Sequence, residues 1–180
     1  MNPSETALTH ETRSVQELRL LATLLGEPTE ESLPLIEEIA PQLLWLSDEA
    51  VAQLRQIPLS DWQAEHTRLF ITGRPHTECS PFESVWREGQ MVGESAMALK
   101  RLYEAFGFVP DAQLPADFLG SELACLAHAL TYHADREELL MELLEHLHAW
   151  VPKFAKAVRI HTDLALYRDW ARRLERLFSL

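Results

Sequence analysis

A chain of 180 residues, 47% apolar and 24% charged, fits one globular core and excludes a disordered or low-complexity protein. Its 28 acidic against 16 basic residues give a formal charge of -12, a field that repels phosphate backbones and excludes nucleic acid as a partner; solubility and attraction of a basic partner explain the acidity equally well. Only Cys79 and Cys125 are present, with no CxxC spacing, which excludes a disulfide framework and a structural zinc site and makes both expected reduced thiols.

Residues 1–13 form a polar tail without the basic start and apolar run of a secretory signal, and no stretch of about 18 apolar residues follows. The expectation is a cytoplasmic protein with no stable membrane insertion. Ser14 and Glu17, at capping-box spacing, open an amphipathic helix carrying Val15, Leu18, Leu21, Ala22 and Leu25 to a stop at Gly26. Leu33, Ile36 and Ile39 make a second short helix ending at Pro41, and Ser47 opens a third with Val51, Leu54 and Ile57 before Pro58. Ser60 and Gln63 read as another capping box, after which Trp62, His66, Leu69 and Phe70 share one face until Gly73 and Pro75 end the pattern.

Residues 73–84 read as a loop interrupting the helical rhythm. The period resumes from Val92 through Ala96, Leu99, Tyr103 and Phe106 to Gly107. Asp117 or the proline before it then opens a helix whose stripe of Phe118, Leu119, Leu123, Leu126, Ala127 and Leu130 is wide enough to predict a central, buried position. Asp135 and Glu138 are spaced as a capping box ahead of Leu139, Leu143, Leu147 and Trp150; Pro152 predicts a break before Phe154 and Val158. Thr162 is expected to cap a last helix with Leu164, Tyr167, Ala171, Leu174 and Phe178. With no period-2 run and no repeat, the expected class is all-α: a single globular domain over residues 14–180, of roughly eight or nine helices.

The eight histidines raise a metal site, but the spacings oppose it. Glu145 and His148 make one Glu-x-x-His pair, where a di-iron bundle needs two plus further glutamates, and they lie beside the Leu144–Leu147 stripe on a face expected to be solvated. His146 with His148, and His128 with His133, miss the i, i+4 geometry of a helical clamp. No nucleophile elbow or phosphate-cradling loop occurs. Neither a catalytic site nor a metal is expected.

Read in order, Glu65-His66-Thr67-Arg68-Leu69-Phe70, Pro81-Phe82-Glu83-Ser84-Val85-Trp86, Tyr103, Phe106-Gly107, and Pro115-Ala116-Asp117-Phe118-Leu119 with Glu122-Leu123 resemble the TorD/DmsD/NarJ family of redox-enzyme maturation chaperones. His146-Leu147, Trp150, Pro152, Phe154 and Tyr167-Arg168 are similar to that family's C-terminal pattern, so the resemblance spans roughly residues 15–178. It implies a TorD-like helical chaperone without enzymatic turnover. It also implies the partners: the twin-arginine signal peptide and the apoprotein of a molybdenum-cofactor oxidoreductase, held back from export until the cofactor is inserted. The alternative within the family is a NarJ-like assembly chaperone for a client that is not exported. No cofactor of its own is expected; a guanine nucleotide or molybdenum-cofactor contact is implied by the resemblance alone, with no phosphate loop to carry it.

Carried over residue by residue, the resemblance implies a signal-peptide groove at His66, Leu69, Phe70, Pro81, Phe82, Glu83, Trp86, Asp117 and Phe118. His66 stands where the DmsD branch has tryptophan, and Phe118 where many members have histidine. The latter exchanges a polar donor for apolar area and is expected to favour a client with a longer hydrophobic segment. Leu69 reads as core, whereas Phe82 and Trp86, in or beside a loop, read as contacts. Glu83 and Asp117 are the nearest carboxylates to accept an arginine, or else Asp117 caps the following helix and Glu83 bonds loop amides. The expected state is a monomer or a dimer swapped through the hinge at 73–84.

Overall fold

A computed structural model describes residues 15–72 and 77–179. The Ser14 cap, the polar tail and the Gly73 and Pro75 stop lie outside the described residues. The class is all-α. Among the described residues there are nine α-helices and no strand: α1 (15–23), α2 (Ser32–Ile39), α3 (Asp48–Gln56), α4 (Leu59–His66), α5 (Glu83–Glu88), α6 (Glu94–Phe106), α7 (Leu119–Tyr132), α8 (Glu137–His161) and α9 (Ala165–Phe178). The fold sorts into two compact units, Met1–Leu25 with Phe82–Trp150 and Gly26–Pro81 with Val151–Leu180, so the division falls inside α8.

The first unit is built around α7, whose wide apolar stripe places Leu119, Leu123, Cys125, Leu126, Ala127 and Ala129 in the interior. Leu99, Leu102, Tyr103 and Phe106 of α6 and Leu140, Leu143, Leu147 and Trp150 of α8 are buried in the same unit. Each fully buried side chain of this kind contributes about 1.5–3 kcal/mol before conformational entropy is subtracted. α6 ends as its sequence requires: Gly107 takes φ +64°, and the Phe108 N–H reaches back to the Tyr103 carbonyl at 2.9 Å.

The second unit holds an aromatic interior in which Phe70 packs edge-on against Tyr167 and Trp170, and Phe154 against Trp170. Two polar links made by buried side chains tie its elements together: the Trp62 indole donates to the Tyr167 hydroxyl at 3.0 Å, and Asp169 Oδ2 accepts from both the amide and hydroxyl of Ser47. Ser47 caps α3 as its sequence predicts, accepting from Ala50 N–H.

Four expected boundaries are corrected. α4 is capped by extended Pro58, whose carbonyl takes the Asp61 and Trp62 amides, so Ser60 lies inside the first turn rather than at the cap. Asp135 does not cap α8, which begins two residues later at Glu137. Pro152 does not end α8, because buried Trp150 and Val151 before it and Phe154, Ala155 and Val158 after it hold the helical path despite the lost amide. Thr162 is not the last cap: the free amide of Ala165 is taken at 2.7 Å by Gln53 Oε1, arriving from α3, while the Thr162 hydroxyl bonds Glu65.

Two elements are additions. After α4 the chain widens into a π-helical turn, Thr67–Ile71, closed by Thr72 N–H to the Thr67 carbonyl at 2.9 Å. The six-residue α5 occupies the end of the expected loop and is too short to give a readable period.

Candidate functional site

The nine candidate residues divide between the units. His66, Leu69, Phe70 and Pro81 belong to the second, where all four are buried: the π-turn directs Leu69 and Phe70 inward, and the His66 ring stands edge-on to Phe70 at 5.3 Å. Phe82, Glu83, Trp86, Asp117 and Phe118 belong to the first.

In the first unit two distant sequence motifs close on each other. Phe82 and Phe118 form an isolated antiparallel bridge in which Glu83 N–H donates to the Asp117 carbonyl at 3.0 Å, and their rings lie 5.7 Å apart. Asp117 fastens the bridge from one side, its Oδ2 accepting from the Ser84 amide at 2.9 Å and the Ser84 hydroxyl at 2.5 Å. It therefore caps α5 across the bridge rather than the helix that follows it. Both rings remain half-buried, as does Trp86 one turn along α5. The Phe118 ring folds over Gly120, where an added Cβ would stand 2.4 Å from Cε1.

Behind the bridge lie three fully buried carboxyl groups, Glu83, Asp117 and Glu122. Glu83 is held by His146 Nδ1 at 2.9 and 2.8 Å and by Arg87 at 2.5 Å, not by loop amides. Glu122 receives the Trp150 indole at a long 3.5 Å, and its Oε1 has no hydrogen-bond partner among the described residues. Burial, reinforced by the Glu83 charge, holds the Glu122 carboxyl well above the usual carboxylate range. Burial likewise raises the hydroxyl of Tyr103, which donates to the Ala116 carbonyl at 2.7 Å and so tethers α6 to the segment that leads into the bridge.

Beside this core opens a cavity of about 460 Å³, lined by Arg87 and Glu88 of α5, Glu94, Ser95 and Ala98 of α6, and Glu142, Glu145 and His146 of α8. Both cationic candidates in its wall, Arg87 and His146, are turned onto Glu83. Glu88 is occupied as the cap of α6, taking the amides of Glu94 and Ser95 and the Ser95 hydroxyl; the Ser95 hydroxyl bond is the largest of the effects that hold its carboxyl below the usual range. Glu142 and Glu145 are exposed and have no ion pair among the described residues.

The sequence from residue 17 to residue 156 matches the family model of the nitrate reductase delta subunit. The chain belongs to that family, the NarJ/TorD-type chaperones. The likeness in fold extends beyond the sequence match: a crystal structure of an Archaeoglobus fulgidus protein, described as a putative redox enzyme maturation protein, superposes with a TM-score of 0.64 at 24% identity, covering 91% of this chain and 92% of that one. Among curated proteins no significant sequence relative is found.

Spacing singled out Glu145 only as half of a Glu-x-x-His pair on a solvated face, where it is indeed exposed, and did not single out Glu122, the other cavity carboxylates or the role of His146. One signal was present: Glu122 is an acid inside the otherwise apolar stripe of α7, a position where an ionised group has a high cost.

Proposed function

We propose that this delta-subunit family member is a cytoplasmic maturation chaperone that binds the twin-arginine leader of an apo-molybdoenzyme catalytic subunit and delays its export until the cofactor is in place. The observation that carries the reading is the family match over residues 17–156. The first unit supplies what such a leader needs: half-buried Phe82, Trp86 and Phe118 for its apolar stretch, and a cavity with unpaired Glu142 and Glu145 for a guanidinium. Aromatic burial would contribute about 1.5–3 kcal/mol per side chain before ordering costs. Because Glu83 and Asp117 have no exposure to water, the arginine contact is assigned to the exposed cavity carboxylates instead.

Co-expression with the catalytic subunit tests this reading. The full-length client should be retained on the tagged chaperone and lost when its leader is deleted. Retention without the leader would favour the assembly role on a non-exported client, in keeping with a family named for the nitrate reductase delta subunit.

A further inference from the structure

We propose that Glu122 is a positioning residue for client binding, setting the Phe82–Phe118 bridge through the buried Glu83 behind it. The inference rests on the reading that Phe82 and Phe118 meet the leader. Glu122 sits in the first turn of α7, its own amide bonded to the Phe118 carbonyl at 3.1 Å, and Glu83 is the residue directly after Phe82. The two carboxyl groups thus stand at the roots of the two aromatic side chains, both with no exposure to water.

Protonated, Glu122 adds no further charge to an interior that already holds Glu83, served by Arg87 and His146, and Asp117, served by Ser84. Ionised, it is a buried anion whose single donor is the distant Trp150 indole and whose Oε1 faces no donor. Repulsion between the two carboxylates is then relieved by displacing either root, which opens the bridge. The titratable and charged groups around Glu122 are Glu83 and Arg87 from α5, Tyr103 from α6, Asp117 before α7, Cys125 from α7 itself and, through its bond to Glu83, His146 from α8; Glu88, Glu94, Glu142 and Glu145 line the cavity alongside. Affinity for the leader therefore falls as pH rises through the ionisation of Glu122.

The test is titration of the full chain with an N-acetylated twin-arginine leader peptide from pH 6 to pH 9, so that no group of the peptide's own terminus titrates. Wild type should weaken about tenfold across the range. Glu122→Gln should be flat at the acidic-side affinity, Trp150→Phe should move the midpoint upward by removing the donor to the anion, and His146→Gln should keep the slope. A pH-independent wild type, or a Glu122→Gln variant with the wild-type slope, overturns the proposal. If no leader binds at any pH, the functional reading fails instead, and the ring resonances of Phe82 and Phe118 in the free protein decide: movement with pH that Glu122→Gln abolishes supports the positioning role, and static rings refute it.

Discussion

At the scale of single residues, the bridge depends on a glycine. Any side chain at position 120 would press on the Phe118 ring, yet alanine suits a helix better than glycine by about 0.5–1 kcal/mol. Gly120→Ala should therefore leave the melting temperature unchanged or raised while weakening leader binding about tenfold; a loss of both together would make the ring part of the core. The cysteines give an independent check on burial. Burial first, and then Glu78 for Cys79 and Glu122 for Cys125, push both thiols up to about 12. Because thiolate is the reactive form, labelling at pH 8 should run at least about 100-fold slower in native than in unfolded protein. Equal rates would show an interior open to solvent.

The buried status of Leu69 was legible in its helical spacing, and so were the apolar stripes of α6 and α7. The bridge was not. It joins residues 82 and 118, and a single long-range pair leaves no periodic trace. The carboxyl cluster was hidden for a related reason: Glu83, Glu122 and His146 come from three helices, and each reads alone as an ordinary helix residue.

At the scale of elements, local signals worked where the partner lay within a turn and failed where it came from elsewhere. Ser47 and Gly107 act on their own helices and were readable. The start of α9 is served by Gln53, 112 residues away, and α5 by Asp117, so no capping motif marks either. Pro152 is the case where tertiary packing overrides a strong breaker. A proline inside a helix costs about 3 kcal/mol, and Pro152→Ala restores an amide that can bond to the His148 carbonyl. The variant should be stabilised by about 1–3 kcal/mol in a denaturant titration. A destabilised variant would mean that the buried residues flanking Pro152 pack only in the geometry the proline imposes.

At the scale of the molecule, charge is unevenly shared. The first unit contains fifteen acidic and six basic residues, whereas the second contains thirteen acidic and ten basic. The unit that carries the aromatic bridge and the cavity is thus the more acidic of the two, and its field would speed encounter with the cationic leader proposed as its ligand at low salt. The most direct measurement is calorimetric titration of twin-arginine leader peptides into the wild-type chain and into the double variant Glu142→Gln, Glu145→Gln, each at low and high salt. The account predicts that wild type binds one leader with an affinity that falls with salt, and that the variant binds about three- to tenfold more weakly, with a shallower salt dependence and an unchanged melting temperature, since both side chains are exposed. Equal affinity and salt slope in the two proteins, or no binding of any leader to wild type, would contradict it.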